Sequence, residues 1–204
     1  MEQEPYNPLD KRNLGVSVAD ALLNRAVDQL PPTERFVGAG IYAIYYTGDF
    51  PEYAAIAKRN RDKNYSQPLY VGKAVPAGSR KGAHNINDSP GTVLYRRLVK
   101  HSESIAEAEN LQLSDFACRW LVVDDIWIPL GESLLINKFS PVWNQALDGF
   151  GNHDPGKGRY GGQRPPWDVL HPGRPWAAKC RDNEKSFEEI VARVRTHIVV
   201  ESGE

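Results

Sequence analysis

The chain has 204 residues, 41% of them hydrophobic, with a formal net charge of −1 and a pI near 6.5. That is enough chain for one well-packed domain with embellishments, and no apolar run is long enough to cross a membrane. The near-neutral total counts mildly against nucleic acid as a partner, and two isolated cysteines, Cys118 and Cys180, exclude a disulfide framework or a zinc site.

The N-terminus (Met1-Glu2-Gln3-Glu4-Pro5) is acidic and has neither the basic nor the apolar region of a signal peptide, so a reducing cytoplasm is the expected location. Residues 16–30 read as an amphipathic helix, with Val18, Leu22, Leu23, Ala26, Val27 and Leu30 as its stripe and Pro31-Pro32 as its stop. A β-prone run follows at about 37–46, containing Gly40-Ile41-Tyr42. Residues 51–67 form a polar, basic, partly helical insertion. A second strand at about 69–73 carries Tyr70-Val71-Gly72, and Lys73 follows it directly.

A loop rich in Gly, Asn and Pro runs from Val75 to Gly91. Thr92 is the expected N-cap of a helix that places Arg97 and His101 at i,i+4 spacing. Residues 116–123 read as a third strand. A helix at about 129–139 is opened by the acid Glu132 and stopped by Pro141, with Asn144 just beyond. Residues 145–181 are rich in Gly, Pro and Trp without periodicity, and a last helix spans about 184–197.

Charge is unevenly spread. Lys58, Arg59, Arg61 and Lys63 cluster, as do Lys73, Arg80 and Lys81, and Arg96, Arg97 and Lys100. Lys157, Arg159, Arg164, Arg174, Lys179 and Arg181 face a single acid, Asp168, while acids collect at 103–115 and 182–204. A basic face with an acidic back is the resulting picture, against the plainer reading of solvated surface charge. His153-Asp154 reads as part of a Gly- and Asn-rich loop. Arg174, in a rigid His-Pro-Gly-Arg-Pro-Trp turn, either reaches a base edge or packs Trp176.

Taken in order, Gly40-Ile41-Tyr42, Tyr70-Val71-Gly72, Arg97-xxx-His101, Glu132-xx-Leu135-Ile136 and Pro141-xx-Asn144 resemble the GIY-YIG nuclease superfamily, and its type II restriction branch most of all. The resemblance covers about residues 37–145. It implies an α/β core, a small mixed sheet flanked by helices, within a single domain. Residues 1–36 and 146–204 would then be DNA-binding or dimerisation extensions. The chain departs from compact members in its long segment between Tyr42 and Tyr70.

By resemblance, Tyr42 activates or orients the attacking water, with His101 as its relay; Lys73 either lowers the phenol pKa, touches phosphate, or is simply a strand-end lysine. Arg97, rather than Arg96, clamps the phosphate, Tyr70 bonds a phosphate oxygen or the water, and Asn144 positions the phosphate or supports Tyr42. Glu132 is the one carboxylate ligand of a Mg²⁺ ion. Lys81, Arg96, Arg159, Arg164 and Arg174 are expected DNA contacts. The partner is double-stranded DNA with a palindromic site such as CCGCGG, cut by a homodimer without any membrane role. A repair or homing-type nuclease and a non-catalytic DNA-binding protein are the rival readings.

Overall fold

The computed structural model describes residues 7, 9–76 and 90–202. Lys81 and Arg80 lie outside the described residues. Four strands form one sheet in the order β1-β4-β2-β3: β1 (Asp28–Gln29), β2 (Gly40–Tyr46), β3 (Tyr70–Ala74) and β4 (Phe116–Val122). Every residue of β2 is buried, because both its faces are covered, so it reads as a continuous apolar run rather than an alternation.

The expected α/β core is present, but the mixed sheet is antiparallel in every pairing. β3 and β4 run in the same direction and are joined by a helical crossover. β2 lies between them, so no parallel pair forms.

The crossover helix is α3 (Val93–Glu107), which buries Leu94, Leu98, His101, Ser102 and Ile105 at helical spacing. Thr92 occupies its N-cap position but makes no side-chain capping bond. On this face of the sheet lie Tyr42, Ile44 and Tyr46, in one core with Trp143, Phe150 and Trp167. The other face carries Ile41, Ala43, Tyr45 and Val71. It is covered by α1 (Lys11–Leu23) and α4 (Ile128–Phe139), which pack against each other.

The helix expected at 16–30 begins and ends earlier. Asp10 caps α1 by accepting from the Arg12 amide at 2.7 Å, and the chain leaves the helix at Asn24. Asp28 and Gln29 then pair with Cys118 and Ala117, so ladder bonds along β4 replace the last helical turn.

The insertion after β2 is built into the fold by α2 (Ala54–Asn60), whose Ile56 and Ala57 join the core. Buried Asn60 stitches it down, donating to the Tyr46 and Gln67 carbonyls. α4 ends at a left-handed Ser140, after which Pro141 caps the short α5 (Val142–Gln145). Residues beyond 145 are packed rather than loose. α6 (Pro166–Leu170) buries Trp167, and α7 (Phe187–Ser202) buries Ile190, Val191 and Val194 while Phe187 stays exposed.

Candidate active site

The β2–β3 register sets Tyr42 opposite Gly72 and Ile44 opposite Tyr70, so both phenols share the α3 face. Glycine is required at position 72. A Cβ there would lie 2.3 Å from the Tyr42 hydroxyl oxygen and 3.0 Å from the Tyr70 ring. The fully buried Tyr42 hydroxyl is 2.6 Å from His101 Nε2. The His101 ring stacks on Phe150 at 4.5 Å, and Phe150 meets Tyr70 edge-on at 5.0 Å.

Burial, then the neighbouring Tyr70 phenol, pushes the Tyr42 pKa well above its ordinary value, while Arg97 pulls the other way. Burial and then Arg97 push His101 well below the ordinary histidine range. At neutral pH both groups are therefore uncharged, and the short contact is a phenol donating to a neutral imidazole.

Arg97, one helical turn before His101, lies beside both phenols and counters the rise that burial imposes on each. Its Nη1 meets His153 Nε2 at 2.7 Å, and its Nη2 donates to the Gly151 carbonyl at 3.3 Å. Its Nε is buried without a hydrogen-bond partner. A buried, unpaired guanidinium donor is costly in a folded protein unless a water or a ligand completes it. Arg96, by contrast, points to solvent.

Lys73 does not stand where it would depress the Tyr42 phenol. It is paired in register with Ile41, so its side chain leaves the sheet on the α4 face. There its Nζ meets Glu132 Oε2 at 2.6 Å. Glu132 is not a helix-opening acid either, since the first turn of α4 contains none. Although it comes from the opposite layer, its charge still raises the pKa of both Tyr42 and Tyr70. Among the described residues no three His, Cys, Asp or Glu side chains converge on a metal site. A lone carboxylate suits a hard cation that keeps most of its waters, and does not suit zinc.

Asn144 spends one side-chain donor and its oxygen on the backbone of β3. Its Oδ1 accepts from the Val71 amide and its Nδ2 donates to the Val71 carbonyl, both at 2.8 Å. Because β3 is an edge strand, Asn144 acts as a one-residue neighbouring strand. It fixes the backbone between Tyr70 and Gly72.

The basic C-terminal residues separate into three cases. Arg159 is exposed. Arg164 is half-buried, bonded to the Ala177 carbonyl and 3.4 Å from Asp182. Arg174 is not a DNA contact, for its side chain is fully buried. It pairs with Asp168, donates to the carbonyls of Gly149, Phe150 and Asn152, and lies between the rings of Trp167 and Trp176. Two residues in the site, Phe150 and His153, were not expected from the sequence. The loop that carries them has no periodicity to reveal it.

Two tyrosines from adjacent strands and an Arg and a His one turn apart on the crossover helix thus share one face of the sheet, with the carboxylate of Glu132 paired to Lys73 on the other. A family model, the Eco29kI GIY-YIG domain, matches residues 34–198, and the chain belongs to that restriction endonuclease family. No curated protein matches the chain. The match runs well past residue 145, in keeping with the contacts that Phe150 and His153 make inside the site.

Proposed function

We propose that the chain is a Mg²⁺-dependent type II restriction endonuclease that cuts both strands of a palindromic DNA site as a homodimer. A GC-rich palindrome such as CCGCGG is the expected target. The observation that carries the reading is the buried 2.6 Å contact between Tyr42 and neutral His101, set beside the unpaired Arg97 Nε.

Arg97 holds the scissile phosphate, supplying Nε and remaining Nη hydrogens to its oxygens. Tyr70 donates to a phosphate oxygen from the same face. Tyr42 orients the attacking water through its oxygen lone pair. As the water loses a proton to Tyr42, the phenol's own proton passes to His101 Nε2, so the phenol stays neutral and the imidazole becomes the cation. A phenol raised by burial is a poor base by itself, and the relay avoids forming a phenolate. The approaching phosphate charge offsets the burial that disfavours the imidazolium. Glu132, which is ion-paired with Lys73, would hold Mg²⁺. When bound there, the metal would supply electrostatic stabilisation of the charge that develops on the reacting phosphate. Arg96 and Arg159, both exposed, and Arg164 remain the expected phosphate or base contacts, as does Lys81. Two subunits double those contacts on one site, which a near-neutral chain needs.

The test is digestion of a fully sequenced phage DNA with Mg²⁺, using wild type and Glu132→Gln. Wild type should give discrete fragments whose mapped ends share one palindrome. Glu132→Gln should bind that site without cutting, and light scattering of this complex should give two chains per duplex. Glu132→Gln cutting at near wild-type rate would refute the one-carboxylate site. Single-strand nicks by a one-to-one complex would favour a repair or homing-type enzyme, and binding alone a non-catalytic protein.

A further inference from the structure

One segment of the site belongs to none of the motifs that define it. Residues 149–153 form a strap between two arginines. On one side, buried Arg174 takes up the carbonyls of Gly149, Phe150 and Asn152, and is itself held by Asp168. On the other side, the Gly151 carbonyl and the His153 ring both face Arg97. The strap is therefore anchored to Arg174 at positions 149, 150 and 152. Gly151, between two anchors, and His153, just past the last one, take up the two Nη atoms of the guanidinium, and Nε is left without a partner.

An arginine side chain has several rotatable bonds and loses much freedom when it is fixed. A clamp that must meet a phosphate in one orientation gains rate when that freedom is already lost. The contact also needs a neutral histidine, because only an unprotonated Nε2 can accept from a guanidinium. The charged groups around His153 favour that state. Partial burial opposes its protonation most, followed by Arg97 and Lys100 on α3 and Arg174 behind the strap. The adjacent Asp154 is engaged elsewhere, with the Tyr160 hydroxyl and the Gly156 amide.

We infer that His153 is a positioning residue, which presets the Arg97 guanidinium for the scissile phosphate through a strap fixed by Arg174. The inference rests on the nuclease reading above. His153 is exposed, so its substitution leaves the core intact.

The experiment compares wild type, His153→Ala and His153→Gln in single-turnover cleavage at saturating enzyme, with DNA affinity measured in the absence of metal. His153→Ala should lower the single-turnover rate by roughly 10²-fold, the size of effect a small misplacement produces, with little change in Kd or Tm. His153→Gln offers an amide oxygen near the position of Nε2 and should recover most of the rate. A His153→Ala rate equal to wild type, or a His153→Gln variant as slow as His153→Ala, overturns the inference. A second measurement does not depend on cleavage: the His153 pKa followed by proton NMR should rise when Arg97→Met removes the facing charge. A His153 pKa that stays put refutes the contact. If it moves while the wild-type protein cuts no DNA, the nuclease reading fails and the Arg97–His153 contact stands.

Discussion

Gly72→Ala is a one-methyl perturbation aimed at the centre of the site. The added Cβ would stand 2.3 Å from the Tyr42 hydroxyl oxygen and 2.5 Å from its Cζ, where ordinary contact begins near 3.4 Å. About 1 Å of movement is therefore needed to restore contact distance. The β3 backbone is the harder part to move, because it is laddered to β2 and clamped by Asn144 at Val71. The Tyr42 ring must yield instead, and displacement of its oxygen on that scale takes the 2.6 Å contact with His101 out of hydrogen-bond range. Overpacking of this kind costs about 1–3 kcal/mol of stability, or roughly 2–12 °C in Tm for a chain of this size. Losing the relay should cost at least about 10²-fold in rate. Single-turnover cleavage at saturating enzyme, at a temperature where circular dichroism shows the variant folded, separates the two effects. A folded Gly72→Ala variant that cuts at near wild-type rate would show that the Tyr42–His101 contact does not carry the proton.

Tyr42→Phe keeps the ring and removes the relay atom, so kcat should fall by roughly 10²–10⁴-fold in a cleavage assay. If it falls little while His101→Ala is dead, His101 acts on the water directly and Tyr42 is packing. His101 and His171 both have folded-state pKa values below the unfolded value, His171 at about 3. The unfolded chain therefore binds more protons below about pH 6.5, and stability should be full above that pH and fall as pH drops, by about 2 kcal/mol at pH 5 from His171 alone. Urea midpoints at pH 7, 6 and 5 test this. A flat profile, or one unchanged in His171→Asn, would contradict it.

The elements visible in the sequence were those whose pattern is local. β2 shows as an unbroken apolar run because both its faces are buried, and Arg97 and His101 show as a pair because helix spacing puts them on one side of α3. What the sequence hid depends on partners far along the chain. Helical periodicity continues past Leu23, yet pairing with β4 draws residues 28–29 into the sheet. Lys73 follows Gly72 directly, but strand alternation sends the two to opposite faces, so its partner is Glu132 rather than Tyr42. For Arg174 the Pro- and Gly-rich turn leaves two readings, a base contact or packing on Trp176, and the fold selects the packing. Only the fold brings Asp168 and three carbonyls around it, which is the condition under which a buried guanidinium is tolerated.

The chain contains a second buried Tyr–His pair, and comparison of the two explains why only one belongs to the site. Tyr53 Oη lies 2.7 Å from His171 Nε2, nearly the geometry of Tyr42 and His101. Every polar group of the pair itself is used, although the neutral indole N–H of the adjacent Trp167 is buried without a partner. The Trp143 indole donates to Tyr53, His171 Nδ1 meets Asn110 Oδ1 at 2.9 Å, and Asn110 donates to the Leu170 carbonyl. That chain of bonds begins at an indole N–H and ends at a backbone carbonyl, so it ties the insertion after β2 to α5 and α6 and offers nothing to a ligand. Beside Tyr42 the chain is incomplete, since Arg97 keeps a buried Nε–H without an acceptor and Tyr70 stands next to it. A tyrosine–histidine contact is thus not in itself a catalytic signature in this fold. What separates the two pairs is that the unpaired donor beside Tyr42 belongs to a guanidinium, whose charge and fork suit a phosphate as the neutral Trp167 indole N–H does not.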